Sequence, residues 1–369
     1  HLPTRRQRQM CIRDSINSNG SVEIGIFGMI SAEDSQGKPV IKPQLFVKDS
    51  KTGNRVNVYN WSANWLETSL VILDDLTGDG VRDFGMQGRF IVEGARPQLF
   101  VKDAANGNNV TTYAYPNLFK KPQFHQLSDV NGDGVDEVGL FGEITRNGKF
   151  QIKITDGVDS GNKLRSYNFA SNWTKVSWHR LSDIDGDGVD DWGMFGTRKD
   201  DNKPQLFTKS GVTTSGSLGI YTWPEDLEST SFHIIPDFTG DSVDELAVGG
   251  FRTSAGRYQL TVRDGVSRSN TLVNYGWPSN WTDVSFEVVG DLTSDGISEV
   301  LLFGLKSNGN YELNIKDGEA SNGIYSAVNL GSDWIGKPSI KLIGDIDFDG
   351  TPTIAVSYTH LRAHETKKH

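Results

Sequence analysis

Acidic residues recur in this chain with a spacing that suits the binding of a hard metal ion. The segment DIDGDGVDDWGMFG begins at Asp183 and places Asp183, Asp185, Asp187 and Asp191 at positions 1, 3, 5 and 9 of a short loop. Glycine at position 6 permits a sharp turn, and the backbone carbonyl of position 7 can add another oxygen. Oxygen donors without His or Cys favour Ca²⁺ over zinc or copper, and Mg²⁺ prefers to keep several waters. This segment therefore predicts a calcium-binding loop.

The same loop recurs at a fixed interval. Copies begin at Asp75, Asp129, Asp183, Asp237, Asp291 and Asp345, always 54 residues apart, and a decayed copy begins at Ser15. The predicted ligands of the first five of these copies, at positions 1, 3, 5, 7 and 9, are Asp75, Thr77, Asp79, Val81 and Asp83; Asp129, Asn131, Asp133, Val135 and Glu137; Asp183, Asp185, Asp187, Val189 and Asp191; Asp237, Thr239, Asp241, Val243 and Glu245; and Asp291, Thr293, Asp295, Ile297 and Glu299. The copy at 345 offers Asp345, Asp347 and Asp349, with Thr353 at position 9. We expect five to six Ca²⁺ sites, and an empty or very weak one at Ser15, Asn17, Asn19 and Glu23.

Two other interpretations of the loops are weaker. An EF-hand needs Glu at position 12 and flanking helices, whereas Leu140, Met194 and Val248 stand at position 12 here. Solvated Asx turns without metal are common singly, but four crowded carboxylates without a cation would repel each other. Because position 12 carries no acid in these copies, the acid at position 9 must close the site. We expect affinities of roughly 10⁻⁴ to 10⁻³ M, as in extracellular modules.

The segments between the loops predict four short strands per repeat. An apolar stretch such as VGLFG follows each loop, and then come an alternating strand such as PQLFVKD, an aromatic strand such as VNVYNW, and a strand such as VSWHRL. Helical periodicity is absent. Four strands in 54 residues predict the blades of an all-β propeller, whereas small sandwiches would need about 100 residues per unit.

The loops DVNGDGVDEVGLFG and DIDGDGVDDWGMFG resemble the FG-GAP repeats of the integrin α-subunit N-terminal propeller and related bacterial repeats. The resemblance covers residues 15–356, although FG or GG stands in place of the GAP tripeptide and the WPSNW-type loop is not part of the family motif. It implies a seven-bladed propeller in which calcium loops join the first two strands of each blade on one face. The chain would then hold five complete blades, three strands of a first and two of a seventh. We expect a truncated seven-bladed ring, with six-bladed closure as the alternative.

The two ends differ from the repeats. Residues 1–14 and 357–369 are basic and patternless, and they resemble translated sequencing adapter, so we expect a gene fragment with non-native flanks. The net charge is −10, and without the flanks it becomes −15, which disfavours nucleic acid and anionic membranes as partners. No apolar run is long enough to predict a membrane span. The lone cysteine, Cys11, lies in the first flank.

Aromatic residues also recur with the repeat. They are Tyr59, Trp61 and Trp65; Tyr113, Tyr115 and Phe119; Tyr167, Phe169 and Trp173; Tyr221 and Trp223; Tyr275, Trp277 and Trp281; and Trp334. Packing between blades is the favoured interpretation for the strand rings. The loop residues Trp65, Trp173 and Trp281 are as consistent with stacking on glycans as with packing. Hydrogen bonds to a neighbouring blade are predicted for the repeated glutamines Gln44, Gln98, Gln151, Gln205 and Gln259.

Catalysis finds little support in the sequence. His125, His179 and His233 recur with the repeat, whereas an active site is needed only once, and no Ser-His-Asp elbow, phosphate loop or zinc cluster is visible. We expect a non-catalytic, secreted or cell-surface bacterial module that binds an extracellular protein, as in adhesion. Two alternatives stay open: a glycan-binding propeller like the tandem-repeat integrin-like fungal lectins, and an accessory propeller of a polysaccharide-degrading enzyme.

Overall fold

The computed structural model describes residues 8–12, 16, 23–213, 217–318, 323–332, 334, 337–342 and 353–357. In these residues the chain consists of short strands joined by turns, with one 3-10 turn at Ile91–Glu93. None of the described residues forms a helix that is long and apolar enough to cross a membrane.

The strands form successive antiparallel sheets, and within each sheet they lie side by side in chain order. The first sheet holds β1 (Arg8–Ile12), β2 (Glu23–Glu33), β3 (Pro39–Asp49) and β4 (Arg55–Asn60). The second holds β5 (Trp65–Ile72), β6 (Phe84–Phe90), β7 (Arg96–Lys102) and β8 (Asn109–Ala114), and the third holds β9 (Phe119–Gln126), β10 (Val138–Ile144), β11 (Phe150–Thr155) and β12 (Lys163–Phe169). The fourth holds β13 (Trp173–Arg180), β14 (Trp192–Arg198), β15 (Pro204–Lys209) and β16 (Ser217–Thr222).

The later sheets follow the same order. The fifth holds β17 (Leu227–Ile235), β18 (Glu245–Arg252), β19 (Arg257–Arg263) and β20 (Thr271–Trp277), and the sixth holds β21 (Trp281–Gly290), β22 (Glu299–Lys306), β23 (Tyr311–Lys316) and β24 (Ile324–Gly331). The seventh pairs β25 (Ser339–Leu342) with β26 (Ile354–Ser357). These repeated four-stranded antiparallel sheets are the blades of a β-propeller, so the predicted fold class is confirmed.

The first sheet differs from the sequence prediction of three strands. The additional strand is β1 (Arg8–Ile12). It pairs with Glu23–Phe27 and lies in the segment expected to be a non-native flank. The pairing completes the sheet because β2 would otherwise present an unpaired edge. The seventh sheet has two strands among the described residues, as predicted.

The chain divides into two compact units, His1–Ile220 and Tyr221–His369. The central strands of the sheets are apolar runs, such as Val138–Ile144 in the first unit and Glu299–Lys306 in the second, and their residues are mostly buried. Aromatic side chains fill each core: Trp192 and Tyr113 are fully buried in the first unit, and Tyr275 and Phe303 in the second. The acidic loops are therefore held between the ends of strands with rigid cores.

Candidate metal centre

Each acidic loop joins the first and second strands of a sheet, as the FG-GAP resemblance implies. We name the loops by their first residue: the 75 loop lies between β5 and β6, the 129 loop between β9 and β10, the 183 loop between β13 and β14, the 237 loop between β17 and β18, and the 291 loop between β21 and β22. The loops of the first and seventh sheets (Ser15, Asn17 and Asn19; Asp345, Asp347 and Asp349) lie outside the described residues.

The aspartate at position 1 shapes the loop by accepting backbone hydrogen bonds. In the 129 loop, Asp129 Oδ1 accepts from Gly132 N at 2.6 Å and Oδ2 accepts from Gly134 N at 2.7 Å. Both glycines have left-handed backbone angles, with φ of 81° and 91°, which a residue with a Cβ adopts at a cost. Asp75, Asp183, Asp237 and Asp291 accept the corresponding bonds. The repeated glycines, with Ser242 and Ser294 at equivalent left-handed positions of the 237 and 291 loops, therefore wrap the backbone around the first carboxylate.

The aspartate at position 5 turns toward the same centre. Its Oδ1 accepts from the position-7 N–H in each loop, as Asp133 does from Val135 N at 2.9 Å. Carboxylate oxygens of Asp183, Asp185 and Asp187 lie within 4.8 Å of one another, and those of Asp291, Asp295 and Glu299 do the same. The loop thus gathers like charges, which a bound cation would neutralise.

The acid at position 9 begins the second strand and is fully buried. Asp83, Glu137, Asp191, Glu245 and Glu299 have no exposed surface. One carboxylate oxygen of each accepts from the position-2 N–H, at 3.1 Å for Val130 N to Glu137 Oε2. The second oxygen of Glu137 and of Glu245 is buried and has no hydrogen-bond partner. A buried carboxylate oxygen without a donor is costly, and a bound cation would remove that cost.

Burial and neighbouring charge shift the pKa of these acids. Desolvation, and then the nearby charges of Asp129 and Asp133, raise the pKa of Glu137 to about 7, and desolvation raises that of Glu245 to about 7. Desolvation likewise raises the pKa of Asp83 and Asp191 to about 6. Backbone N–H donors instead lower the pKa of Asp237 and Asp291 at position 1. The loop therefore combines a position-1 aspartate that ionises readily with a buried position-9 acid whose negative charge needs a positive partner.

The donor set fits Ca²⁺. Carboxylate, amide, hydroxyl and carbonyl oxygens are its preferred ligands, and the unpartnered Oε1 atoms of Glu137 and Glu245 are vacant acceptors at the inner end of their loops. The Asx-turn hydrogen bonds are accepted by the carboxylates at positions 1 and 5, and no hydrogen bond is donated to Oε1 of Glu137 or Glu245. A bound ion would join the loop to the start of the second strand and neutralise the carboxylates.

A second turn lies against each loop, and the sequence analysis did not assign it a role. It joins the third and fourth strands, and its backbone donates to position 9 in two sheets, from Ala104 N to Asp83 Oδ1 at 3.3 Å and from Gly211 N to Asp191 Oδ1 at 3.0 Å. A signal was present, because the strands written PQLFVKD end in an aspartate that recurs with the repeat.

Position 8 links neighbouring loops of the first unit. Asp136 Oδ2 accepts from Gln126 Nε2 at 2.8 Å and from Arg180 Nη1 at 3.1 Å. The Arg180 Nε atom also pairs with Asp190, at position 8 of the 183 loop, at 2.5 Å. Arg180 therefore bridges the 129 and 183 loops through their position-8 carboxylates.

The strand aromatics pack between sheets, which confirms the favoured interpretation. Tyr113 OH donates to Gly157 O in the next sheet at 2.7 Å, and Trp277 Nε1 donates to Asn314 Oδ1 at 2.8 Å. The prediction for the glutamines is wrong for Gln44, Gln151 and Gln259, because their Nε2 atoms donate to Asn60, Asn168 and Asn274 on the adjacent strand of the same sheet. Each pair stands on neighbouring strands within side-chain reach, so the nearest acceptor lies within the sheet.

The three tryptophans considered for glycan binding begin the first strands and are largely buried. Trp65, Trp173 and Trp281 are 6, 7 and 2 % exposed. Trp173 also lines a cavity of about 280 Å³ in the first unit. The other residues that line it are Asn168, Phe169, Ala170, Asn172, Arg198, Gln205, Phe207 and Ile220. Aromatic and amide side chains thus line a cavity at Trp173, one of the tryptophans considered for glycan binding.

The repeated histidines lie on the first strands and serve packing and local hydrogen bonds. His179 Nε2 and His233 Nε2 each lie 2.7 Å from the hydroxyl of a serine two residues earlier, Ser177 and Ser231. Gln123 replaces that serine before His125, whose Nε2 is buried without a partner. Desolvation lowers the pKa of His125 and His233 to about 4, so both are neutral at physiological pH.

No protein-family model matches the chain, and no curated protein matches it either. The FG-GAP resemblance therefore stays a prediction. Solved structures that are similar include a eukaryotic initiation factor, at 11 % identity over 92 % of this chain and 88 % of the other, with a TM-score of 0.46. The six-bladed β-propeller lectin of Aleuria aurantia has 10 % identity over 89 % and 97 %, with a TM-score of 0.40. At this level of likeness, nothing about ligands follows, and the blade architecture rests on the chain's own sheets.

Proposed function

We propose that this chain is an FG-GAP-like, calcium-binding propeller segment that acts as a non-catalytic extracellular adhesion or protein-interaction module. The observation that carries the proposal is the fully buried acid at position 9, whose second oxygen in Glu137 and Glu245 has no donor. Five loops with the same wrapped backbone place that acid beside two or three further carboxylates. Calcium is structural in this proposal, because it holds the loop against the second strand.

The proposed location follows from the expected affinity. Sites with dissociation constants of roughly 10⁻⁴ to 10⁻³ M are filled by the millimolar calcium outside cells but not by cytosolic calcium. We therefore propose a secreted or surface-exposed setting. The partner surface is proposed to lie on the turns, since rigid sheets commonly present binding residues on their connecting segments. Val158, Val212 and Val266, at one repeat position of three such turns, are 63, 37 and 49 % exposed.

Thermal melting tests the proposal in the full chain. About 1 mM Ca²⁺ should raise the melting temperature by several degrees over the same protein in chelator, because the ion binds only the folded loops. Magnesium at the same concentration should have a smaller effect. A Glu137→Gln/Glu245→Gln variant should lose much of the calcium-dependent rise in melting temperature. Glu143→Gln, a change on β10 outside the 129 loop, should retain it. Equal melting temperatures in calcium and chelator would contradict the proposal.

A second candidate, glycan binding, is supported by the cavity at Trp173. Phe169, Trp173 and Phe207 supply ring surfaces, and Asn168, Asn172 and Arg198 supply hydrogen-bonding groups around the same space. Arg198 Nε is buried there without a partner. A glycan array with the calcium-loaded protein tests this candidate, with Asn172→Ala as the cavity variant and Asn147→Ala as the matched surface control. Binding that is lost only in the cavity variant supports it, and an array without binding contradicts it.

A further inference from the structure

The turn between the third and fourth strands places one oxygen-bearing side chain beside each acidic loop. We call it the turn residue: Asp103, Asp156, Ser210, Asp264 and Asp317 in the second to sixth sheets. In the third sheet, Asp156 Oδ2 lies 3.4 Å from Nδ2 of Asn131, the position-3 side chain. In the fourth sheet, Ser210 Oγ donates to Asp187 Oδ2 at 3.2 Å. In these two sheets the turn residue therefore reaches position 3 or position 5 of the loop.

The charge of the turn residue varies with the charge at position 3. The 183 loop has a carboxylate there, Asp185, and its turn residue is the neutral Ser210. The other four loops have a neutral residue at position 3, Asn131 or a threonine, and their turn residue is an aspartate. Counting positions 1, 3, 5 and 9 together with the turn residue, each of the five groups carries four carboxylates. Compared with the other four sheets, the fourth sheet thus carries one carboxylate at position 3 instead of at the turn residue.

An independent observation favours a cation beside this group. Glu137 is fully buried, and its Oε1 accepts no hydrogen bond, while Oε2 accepts from Val130 N of the same loop. Glu245 repeats the arrangement through Phe238 N. Each glutamate thus holds an unsatisfied anionic oxygen at the base of its loop.

We propose that the turn residue belongs to the ligand shell of each calcium site and fixes the charge of that site at four carboxylates. The inference rests on the proposed calcium-binding function. Asp156 then acts with Asp129, Asp133 and Glu137, whereas Asp185 takes the place of the turn carboxylate in the fourth sheet. Charge count is one of the quantities that set calcium affinity in oxygen-ligand sites.

Aspartate and serine make equivalent backbone hydrogen bonds at the start of the turn. Asp156 Oδ1 accepts from Val158 N at 2.8 Å and Asp159 N at 2.9 Å. Ser210 Oγ accepts the equivalent bonds from Val212 N and Thr213 N, at 3.1 and 3.2 Å. Serine therefore supplies these backbone bonds as aspartate does. The second oxygen, Oδ2 in Asp156, accepts from Asn162 Nδ2 of the turn at 3.0 Å and lies 3.4 Å from Asn131 Nδ2 of the loop, so the added charge lies between turn and loop.

Exchange of the charge in the third sheet tests the inference. Full-length protein with ¹⁵N-labelled glycine is titrated with calcium, and the amide signals of Gly134 and Gly188 report the 129 and 183 loops in one sample. Asp156→Ser should weaken binding at Gly134 about tenfold and leave Gly188 unchanged. Adding Asn131→Asp to that variant should restore the affinity at Gly134 to within about twofold. The control Asp159→Ser removes the same charge from an exposed position of the same turn and should change neither signal.

Each outcome decides a different point. Unchanged affinity at Gly134 in Asp156→Ser, or no recovery in the double variant, overturns the inference, while a calcium response at Gly188 leaves the proposed function standing. Failure of every loop glycine in the natural sequence to respond to millimolar calcium overturns the proposed function itself. If Asp156→Ser does not fold, the reciprocal exchange Asp185→Asn/Ser210→Asp gives the same test. Preserved affinity at Gly188 in that variant supports the inference, and a tenfold loss overturns it.

Discussion

The hydroxyl of Tyr113 donates a 2.7 Å hydrogen bond to the backbone carbonyl of Gly157, the residue that follows Asp156. The bond joins the fourth strand of the second sheet to the turn beside the 129 loop of the third. The same bond recurs from Tyr59 to Ala104, Tyr167 to Gly211, Tyr221 to Gly265 and Tyr275 to Gly318. Each candidate ion site is therefore tied to the preceding sheet through a tyrosine.

Removal of one such hydroxyl should destabilise the fold. Tyr113→Phe leaves the Gly157 carbonyl without this donor in a buried place, which costs about 1–2 kcal/mol. The melting temperature in calcium should fall by about 2–4 °C. Tyr325→Phe is the matched control, because Tyr325 is 48 % exposed and its 3.3 Å bond to Leu292 O lies near water. Equal falls in melting temperature for the two variants would show that the inter-sheet hydrogen bond stabilises the fold no more than the exposed one does.

The glycine after the turn residue allows the turn to approach the loop. A Cβ on Gly157 would overlap the carbonyl oxygen of Asp136 at position 8 of the 129 loop. Gly157→Ala should therefore separate the turn from the loop, lower the melting temperature by several degrees and weaken calcium binding at Gly134. Gly276→Ala is the control, since its nearest atoms belong to Arg257 at an ordinary 3.5 Å. An unaffected Gly157→Ala would contradict this account of the turn.

The pH dependence of stability should reverse when calcium is removed. Glu137 has a pKa of about 7 in the fold against an ordinary value of 4.5, so the calcium-free fold binds the extra proton between these values. This contribution to stability is present at low pH and is lost as pH rises through 7. In chelator, the melting temperature should thus fall between pH 6.5 and 8. His125 and His233 act in the opposite direction only below about pH 6.5.

Two matched variants isolate this effect. Glu137→Gln should reduce the fall in chelator, because this residue no longer titrates, and the remaining fall comes from Glu245, whose pKa is also about 7. Glu143→Gln changes a half-buried carboxylate that pairs with Lys120 at 2.6 Å and should keep the fall. In calcium, protons compete with the ion for Glu137, so stability should rise from pH 6.5 to 8. A chelator profile that rises with pH would contradict the assignment of Glu137 as the buried, unsatisfied acid.

The missing partner of His125 gives a stabilising substitution. Ser177 and Ser231 each place a hydroxyl 2.7 Å from the Nε2 of the histidine two residues later, while Gln123 stands in the equivalent place before His125. Gln123→Ser should supply that hydroxyl and stabilise the fold by about 1 kcal/mol. Ser177→Ala is the converse control and should destabilise it by a similar amount. A Gln123→Ser variant that is no more stable would show that His125 needs no partner.

The features that were predictable from the sequence are local. The 54-residue period, the four strands per repeat and the place of the five loops between strands depend on neighbouring residues, and the turn glycines mark where each loop bends. Calcium binding by these loops stays a prediction. Burial of the position-9 acid was not predicted; the structure shows it at Glu137, directly before the apolar run Val138–Ile144.

The features that sequence reasoning missed depend on contacts between distant segments. Tyr113 meets Gly157 across 44 residues, and Asp156 meets the 129 loop only because two connections of one sheet lie at the same edge. The strand Arg8–Ile12 was not expected because its residues lack the repeat pattern. The glutamine bonds were assigned to the wrong sheet, since spacing along the chain does not show which neighbouring strand offers the closer acceptor.

An anomalous-scattering crystal structure grown with about 5 mM Ca²⁺ tests the central claim most directly. We predict a peak in each of the 75, 129, 183, 237 and 291 loops, with oxygens of positions 1, 3, 5, 7 and 9 at about 2.3–2.6 Å. In the 129 and 237 loops, the peak should lie beside Oε1 of Glu137 and Glu245. Loops that keep their shape without a peak under these conditions would contradict the account.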